Sequence, residues 1–185
     1  MTRSNPTLSV VALLLALTAC SATEPEKEDT VSNTSDELVC NLISPDLVKS
    51  IIGDDPVKTS GGDFDAKSGE FVRCRVVNDK DGIIVMQLTI GKADPQEWRP
   101  KLEHEMATAD EHCTKRYESD PGFGYGCAYE KGLWRFGAAV HVLTDDHLIR
   151  ATVYNWPDAT PEERLALAED VARDMEKNYS AASQR

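Results

Sequence analysis

Histidine and acidic side chains are the groups in this sequence that could carry acid–base or metal chemistry, and the chain has four histidines. Two of them, His104 and His112, are the first and last residues of the segment HEMATADEH. A zinc-binding helix places two imidazoles four residues apart on one face, whereas this separation of eight residues rotates them about 80° apart. The acidic residues between them fit a solvated helix face, so we expect no metal ion and no cofactor.

The other two histidines lie outside any local catalytic motif. We expect His141 on the outward face of a strand and His147 in a turn, and the sequence places no serine or cysteine nucleophile beside either one. The acidic residues closest to forming a carboxylate pair are Glu130, Asp145 and Asp146, all in expected turns. The sequence therefore predicts no catalytic residue.

The segment PGFGYGC, residues 121 to 127, has a glycine at every second position. A phosphate-binding loop needs glycines between a strand and the start of a helix, whereas this segment is expected to lead from a helix into a strand. We interpret it as a flexible turn that brings Cys127 back to Cys113. Tyr125 in this turn and Trp156 in YNWPD either contact a ligand or pack against neighbouring helices.

Polar residues that precede a proline mark three helix starts. Ser44, Asp94 and Thr160 each occupy such a position. Glu97 and Glu163 then complete the capping-box pattern of the second and third starts. The apolar residues that follow recur every three or four positions, so we predict three amphipathic helices.

Alternating apolar and polar residues predict strands between these helices. FVRCRVV and IIVMQLTI flank the turn NDKDG, LWRFGAAVHVL and LIRATVY flank TDDH, and a further strand begins at Cys127. The predicted order is α-β-β-α-β-β-β-α. It indicates an α+β fold in which three helices pack on an antiparallel sheet of about five strands.

The N-terminus has the pattern of a secretory signal: Arg3, an apolar run over residues 10 to 17 that is too short to span a membrane, and small residues after it. The tetrad LTAC resembles the lipobox of bacterial lipoproteins, whose cysteine is acylated and becomes the N-terminus. The resemblance implies that residues 1 to 19 are a signal peptide. It also implies that Cys20 carries lipid, which would hold the protein on the extracytoplasmic face of the cell membrane. Ordinary signal cleavage after Ala19 is the alternative.

Composition divides and bounds the rest of the chain. We expect a disordered acidic tether over residues 20 to 36, one globular domain over residues 37 to 180 and a disordered tail over residues 181 to 185. The chain has 20 basic and 32 acidic residues, and removal of Arg3 with the signal leaves 19 basic residues and a net charge of −13. This charge argues against nucleic acid as a partner.

Four cysteines remain once Cys20 is acylated: Cys40, Cys74, Cys113 and Cys127. An even number in an exported chain predicts two disulfides, with three possible pairings. A zinc site is the alternative, but no Cys-x-x-Cys occurs to support it.

The stretch CNLISPDLVKSIIG resembles the opening of a family of small actinobacterial lipoproteins of unassigned function. These have a cysteine, a leucine two positions later, a helix that starts with proline, and a glycine stop. The family's second cysteine falls in its first strand, where Cys74 stands, and Val76 replaces a tryptophan that the family often has. The resemblance implies a lipid-anchored extracytoplasmic domain with a Cys40–Cys74 disulfide, and it implies no reaction.

Two functions remain open at this point. The favoured one is a non-catalytic module that binds an envelope protein or a small ligand at the membrane surface, with Tyr125 and Trp156 as candidate contacts. The alternative is a hydrolase that acts on envelope material through carboxylates converging in a cleft. An apolar groove without ionisable groups would favour the first function, and two carboxylates converging in a pocket would favour the second.

Overall fold

The computed structural model describes residues 37–65, 67–108, 115–118, 122–130, 136–154, 156 and 158–184. Cys20, the expected signal and tether, Cys113 and His112 lie outside these ranges. The helices are α1 (Pro45–Ile52), α2 (Pro95–Thr108) and α3 (Pro161–Ser183). The strands are β1 (Val57–Gly61), β2 (Val72–Asn78), β3 (Ile84–Lys92), β4 (Lys115–Tyr117), β5 (Phe123–Tyr129), β6 (Gly137–Leu143) and β7 (His147–Val153).

The strands form one antiparallel sheet in the order β1-β2-β3-β7-β6-β5-β4. This confirms the α+β fold, the antiparallel sheet and the two hairpins, β2–β3 and β6–β7. The sheet has seven strands rather than the five expected. The two additional strands, β1 and β4, are short edge strands, and the sequence did not predict them because they lack an alternating apolar pattern. The pairing of β3 with β7 joins the two halves of the chain at the centre of the sheet.

Helices cover both faces of the sheet. On one face, α1 and α3 pack over the main core, which includes Leu88, Val140 and Ile149. On the other face, α2 covers a smaller cluster and contacts β5 and β6. The alternation along β6 explains this division, since Val140 and Val142 face α3 while His141 and Leu143 face α2.

From Phe123 onwards the glycine-rich segment is a strand rather than the flexible turn expected from the sequence. β5 runs from Phe123 to Tyr129 between β4 and β6. A Cβ atom at Gly126 would lie 2.7 Å from Leu165 Cδ1 and 2.8 Å from the Tyr117 hydroxyl. These are the ends of flexible side chains, so glycine here eases the close packing of α3 on the sheet, and its presence does not mark a turn.

The boundaries of two elements differ from expectation. β6 begins at Gly137, and Phe136 just before it has a left-handed φ of 59° that interrupts extended backbone. The other residues of the LWRF segment lie outside the described ranges. α3 continues to Ser183, beyond the expected end of the domain at residue 180. Its additional residues favour helix, and Ala182 packs against the main core.

The start of α3 has the predicted capping box. The Thr160 hydroxyl accepts a hydrogen bond from the Glu163 backbone N–H at 3.2 Å, and Glu163 Oε2 accepts one from the Thr160 N–H at 2.8 Å. At the start of α2 only half of the pattern forms. Asp94 Oδ1 accepts from the Gln96 N–H at 2.9 Å, while Glu97 pairs with Lys101.

Cys40 and Cys74 form a disulfide with their Cα atoms 6.3 Å apart. It ties the segment before α1 to β2, as the family resemblance implies. Cys127 is also disulfide-bonded, but the expected pairing with Cys113 stays a prediction because Cys113 lies outside the described residues. No helix in the described ranges is long and apolar enough to cross a membrane.

Candidate functional site

An open cavity of about 570 Å³ lies at one end of the sheet. Its walls come from the first turns of α2, the turn between β6 and β7, the start of β5 and the last turns of α3. It is lined by both charged and apolar side chains, including Arg99, Phe123, Asp145, His147, Glu176 and Tyr179. The cavity therefore joins segments that are far apart in the sequence.

His147 is the central buried polar group of this cavity, with 2% of its surface exposed. Its Nδ1 lies 2.5 Å from Asp146 Oδ1 and 2.8 Å from the Thr144 hydroxyl, and its Nε2 lies 2.5 Å from Glu176 Oε2. The imidazole also stacks on the Tyr179 ring, with 3.8 Å between ring centroids. Both nitrogens are thus occupied by carboxylates from two different elements.

The two carboxylates decide the protonation of His147. Burial by itself lowers the pKa of an imidazole, but hydrogen bonds to Glu176 and then Asp146, together with their charges, outweigh burial and raise the His147 pKa. The imidazolium is therefore favoured, and each ring N–H donates to a carboxylate. A general base needs a free ring nitrogen, so His147 links the β6–β7 turn to α3 rather than accepting a proton.

The position of His147 follows from the register of β7. The strand begins at this residue, and its alternation places His147 on the same face as the buried Ile149 and Ala151, beneath α3. The turn is closed by backbone and side-chain bonds between Thr144 and His147, including Thr144 N–H to His147 C=O at 2.9 Å. The sequence interpretation missed this because it placed His147 in the turn instead of at the first strand position.

A second polar cluster lies under α2, on the opposite face of the sheet. Arg150 Nη2 donates to both oxygens of Glu105 at 2.9 and 3.2 Å, and His141 Nδ1 lies 3.8 Å from Glu105 Oε2. The Tyr125 hydroxyl lies 3.3 Å from His141 Nδ1 and 3.4 Å from Glu105 Oε2. We call this group the α2 latch, since Glu105 is its α2 member and the other three residues belong to the sheet.

The latch holds Glu105 as a carboxylate. His141 and Arg150 stabilise its charge and lower the Glu105 pKa to about 2, although burial opposes this. Of these two residues, only Arg150 lies within hydrogen-bonding distance of Glu105, so we assign the stronger interaction with Glu105 to Arg150. Burial and then the Glu105 charge raise the pKa of Tyr125 to about 12. These shifts indicate a structural ion-pair network that fixes α2 on the sheet.

The candidate residues predicted from the sequence lie at several separate positions in the structure. Asp145 lines the cavity and Asp146 contacts His147, whereas Glu130 pairs with Arg164 at the start of α3. His104 is exposed on α2 and His141 belongs to the latch. The structure therefore brings together two of the three acidic candidates and separates the third.

The two aromatic candidates have little free surface. Tyr125 is 7% exposed beneath α2, and Trp156 is partly buried against the main core. Their role as ligand contacts stays a prediction. Sequence reasoning missed Glu176 and Tyr179, which line the cavity from α3. The available signal was their spacing of three on the predicted helix, which places them on one face beside the apolar stripe.

Within the described ranges, no group of three or more His, Cys, Asp or Glu side chains is arranged to hold a metal ion. No protein-family profile, curated protein or solved structure matches the chain.

Proposed function

We propose that this protein is a lipid-anchored extracytoplasmic lipoprotein whose folded domain is a non-catalytic binding module. The ligand, either a small molecule or a segment of an envelope protein, would occupy the cavity beside His147. The lipobox at Cys20 supports the location, and the cavity supports the binding role. Its walls are mostly polar and charged, with a smaller apolar part at Phe123 and Leu143, and they converge on one concave site as ligand-binding groups do.

The observation that carries this proposal is the double engagement of His147. Catalytic triads leave one imidazole nitrogen facing the nucleophile, while here the second nitrogen donates to Glu176. A buried imidazolium held between two carboxylates gives the cavity a fixed shape and leaves carboxylate oxygens at its surface. Such a preorganised wall suits recognition, because little ordering has to accompany binding.

The test is to block the cavity without changing the fold. Ser183→Trp places a large ring at an exposed position of the cavity wall, and Ala166→Trp is the matched control at an exposed position of α3 outside it. We expect both variants to keep the unfolding midpoint of the wild type. Only Ser183→Trp should fail to restore the phenotype of a strain that lacks the gene. Full restoration by Ser183→Trp would contradict a binding role for this cavity.

The alternative, a hydrolase acting on envelope material, is favoured by one observation. Asp146 and Glu176 are two carboxylates that meet in one cavity. Acid–base hydrolysis needs one of them to donate a proton, whereas both accept hydrogen bonds from His147. Incubation with purified cell-wall polymer decides between the two functions. Release of soluble fragments that Glu176→Gln abolishes would support the hydrolase, and absence of turnover supports the binding module.

A further inference from the structure

We propose that the cavity recognises an alkylammonium group, carried either by a small amine or by a lysine side chain. This rests on the proposed function, because it names the ligand class for the same cavity. Three features support it: the charge of the cavity wall, a buried hydroxyl without a hydrogen-bond partner, and an apolar wall beside the carboxylates.

The charged groups of the wall favour a cation. Four carboxylates line the cavity, and two cations oppose them, so that the sum of −4 and +2 gives −2 when His147 is protonated. The carboxylates are Glu118, Asp145, Asp146 and Glu176, and the cations are Arg99 and His147. The two helix ends at the cavity, the start of α2 and the end of α3, carry opposite partial charges. Because these partial charges oppose each other, the charged side chains determine the local field, which is negative.

The Tyr179 hydroxyl is the independent observation that points to a ligand. Tyr179 is 2% exposed and lines the cavity, and its hydroxyl makes no hydrogen bond of acceptable geometry among the described residues. Burial and then the charge of Asp146 raise the Tyr179 pKa, and Glu176 adds to this rise; a weak interaction with the Ser183 hydroxyl opposes it without reaching hydrogen-bond geometry. A buried hydroxyl that lacks a partner is costly, and an ammonium N–H in the cavity, on the side of Asp146 and Glu176 away from His147, would supply the donor.

The apolar part of the wall suits the alkyl chain of such a ligand. Phe123 and Leu143 line the cavity beside the carboxylates. The Arg99 guanidinium already lies over the Phe123 ring, 4.3 Å from its centroid, and also pairs with Glu103 at 3.5 Å. This wall therefore already accommodates one cation next to an aromatic face. An anionic ligand would meet four carboxylates, with both nitrogens of His147 already engaged.

The direct test is an NMR titration of the full chain with n-pentylamine, n-pentanol and pentanoate. These probes have the same alkyl chain and differ in charge. We expect n-pentylamine to shift the signals of Asp145, Ser180 and Ser183 with an affinity at least about tenfold above that of the alcohol. Pentanoate should give no saturable shift. A peptide with one lysine, compared with the same peptide carrying acetyl-lysine, tells whether the ammonium comes from a protein side chain or from a free amine.

Substitutions then assign the effect to the cavity. Tyr179→Phe keeps the stacking on His147 but removes the hydroxyl, so it should weaken n-pentylamine binding by about fivefold with no loss in the urea unfolding midpoint. Asp145→Asn should weaken binding by about threefold. Asp158→Asn makes the same charge change near the other end of α3 and should have no effect.

The outcomes separate this inference from the proposed function. Tighter binding of the alcohol or of pentanoate at the same residues would overturn the ammonium assignment while the binding module stands. If Asp145→Asn and Asp158→Asn weaken n-pentylamine binding equally, binding depends only on the net charge of the protein, and the ammonium assignment is also overturned. If Tyr179→Phe lowers stability and leaves binding unchanged, the hydroxyl serves the fold and the assignment fails. If none of the probes binds and Ser183→Trp is fully functional, the proposed function fails as well.

Discussion

The α2 latch gives the sharpest prediction, because its charge can be removed with almost no change in shape. Glu105→Gln keeps the side-chain length but loses the carboxylate that binds Arg150. Since α2 carries the Arg99 wall of the cavity, loosening this helix would also perturb the binding site. We expect the variant to fold and to be less stable than the wild type at neutral pH. The difference in their free energies of unfolding should depend on pH.

The magnitude follows from the Glu105 pKa. Lowering it from the ordinary 4.5 to about 2 corresponds to about 3 kcal/mol of stabilisation at neutral pH. The side chain is 35% exposed, so solvent screening reduces this to about 1–2 kcal/mol. A lowered pKa stabilises the fold above the unfolded-state value of 4.5. This stabilisation is lost as the pH falls towards 2, when the folded protein also takes up the proton.

Urea unfolding at pH 6.5 and pH 3 measures this dependence. The difference in unfolding free energy between wild type and Glu105→Gln should be about 1–2 kcal/mol at pH 6.5 and less than half of that at pH 3. Glu103→Gln, an exposed position of the same helix, is the control and should change stability by less than about 0.5 kcal/mol. A difference for Glu105→Gln that is the same at both pH values would refute the electrostatic account and assign the loss to packing.

Three further changes test other parts of the molecule. Replacing both Cys40 and Cys74 with serine opens a link across 34 residues and should cost about 4 kcal/mol, measured by urea unfolding without reductant; an unchanged midpoint would contradict this. His147 has a raised pKa, so its contribution is complete below pH 6.5 and declines as the pH rises through the folded-state value. His147→Gln should therefore flatten this alkaline loss of stability, and an unchanged slope between pH 6 and 9 would count against the imidazolium. Cys20→Ser should abolish partitioning into the detergent phase, and mass spectrometry finding an unmodified Cys20 on the mature wild type would rule out the lipid anchor.

Local sequence patterns determined the starts of the three helices and the two hairpins. Proline after a polar residue fixes a helix start because the first turn has no partner for its backbone N–H groups, and Thr160 with Glu163 supplies the missing bonds. The turns NDKDG and TDDH, flanked by alternating residues, each form a hairpin for a similarly local reason. These features depend on neighbours within a few positions, so the sequence contains all that they need.

The tertiary structure alone decided which side chains meet. His147 and Glu176 are 29 residues apart, and Glu105 and Arg150 are 45 apart, so no spacing rule predicts either contact. The pairing of β3 with β7 and the placement of α2 on the opposite face from α3 bring these groups together. The hydrophobic effect that drives this packing is non-directional and does not select particular polar contacts. The partner of each buried charge is therefore determined only when the sheet and the helices pack together.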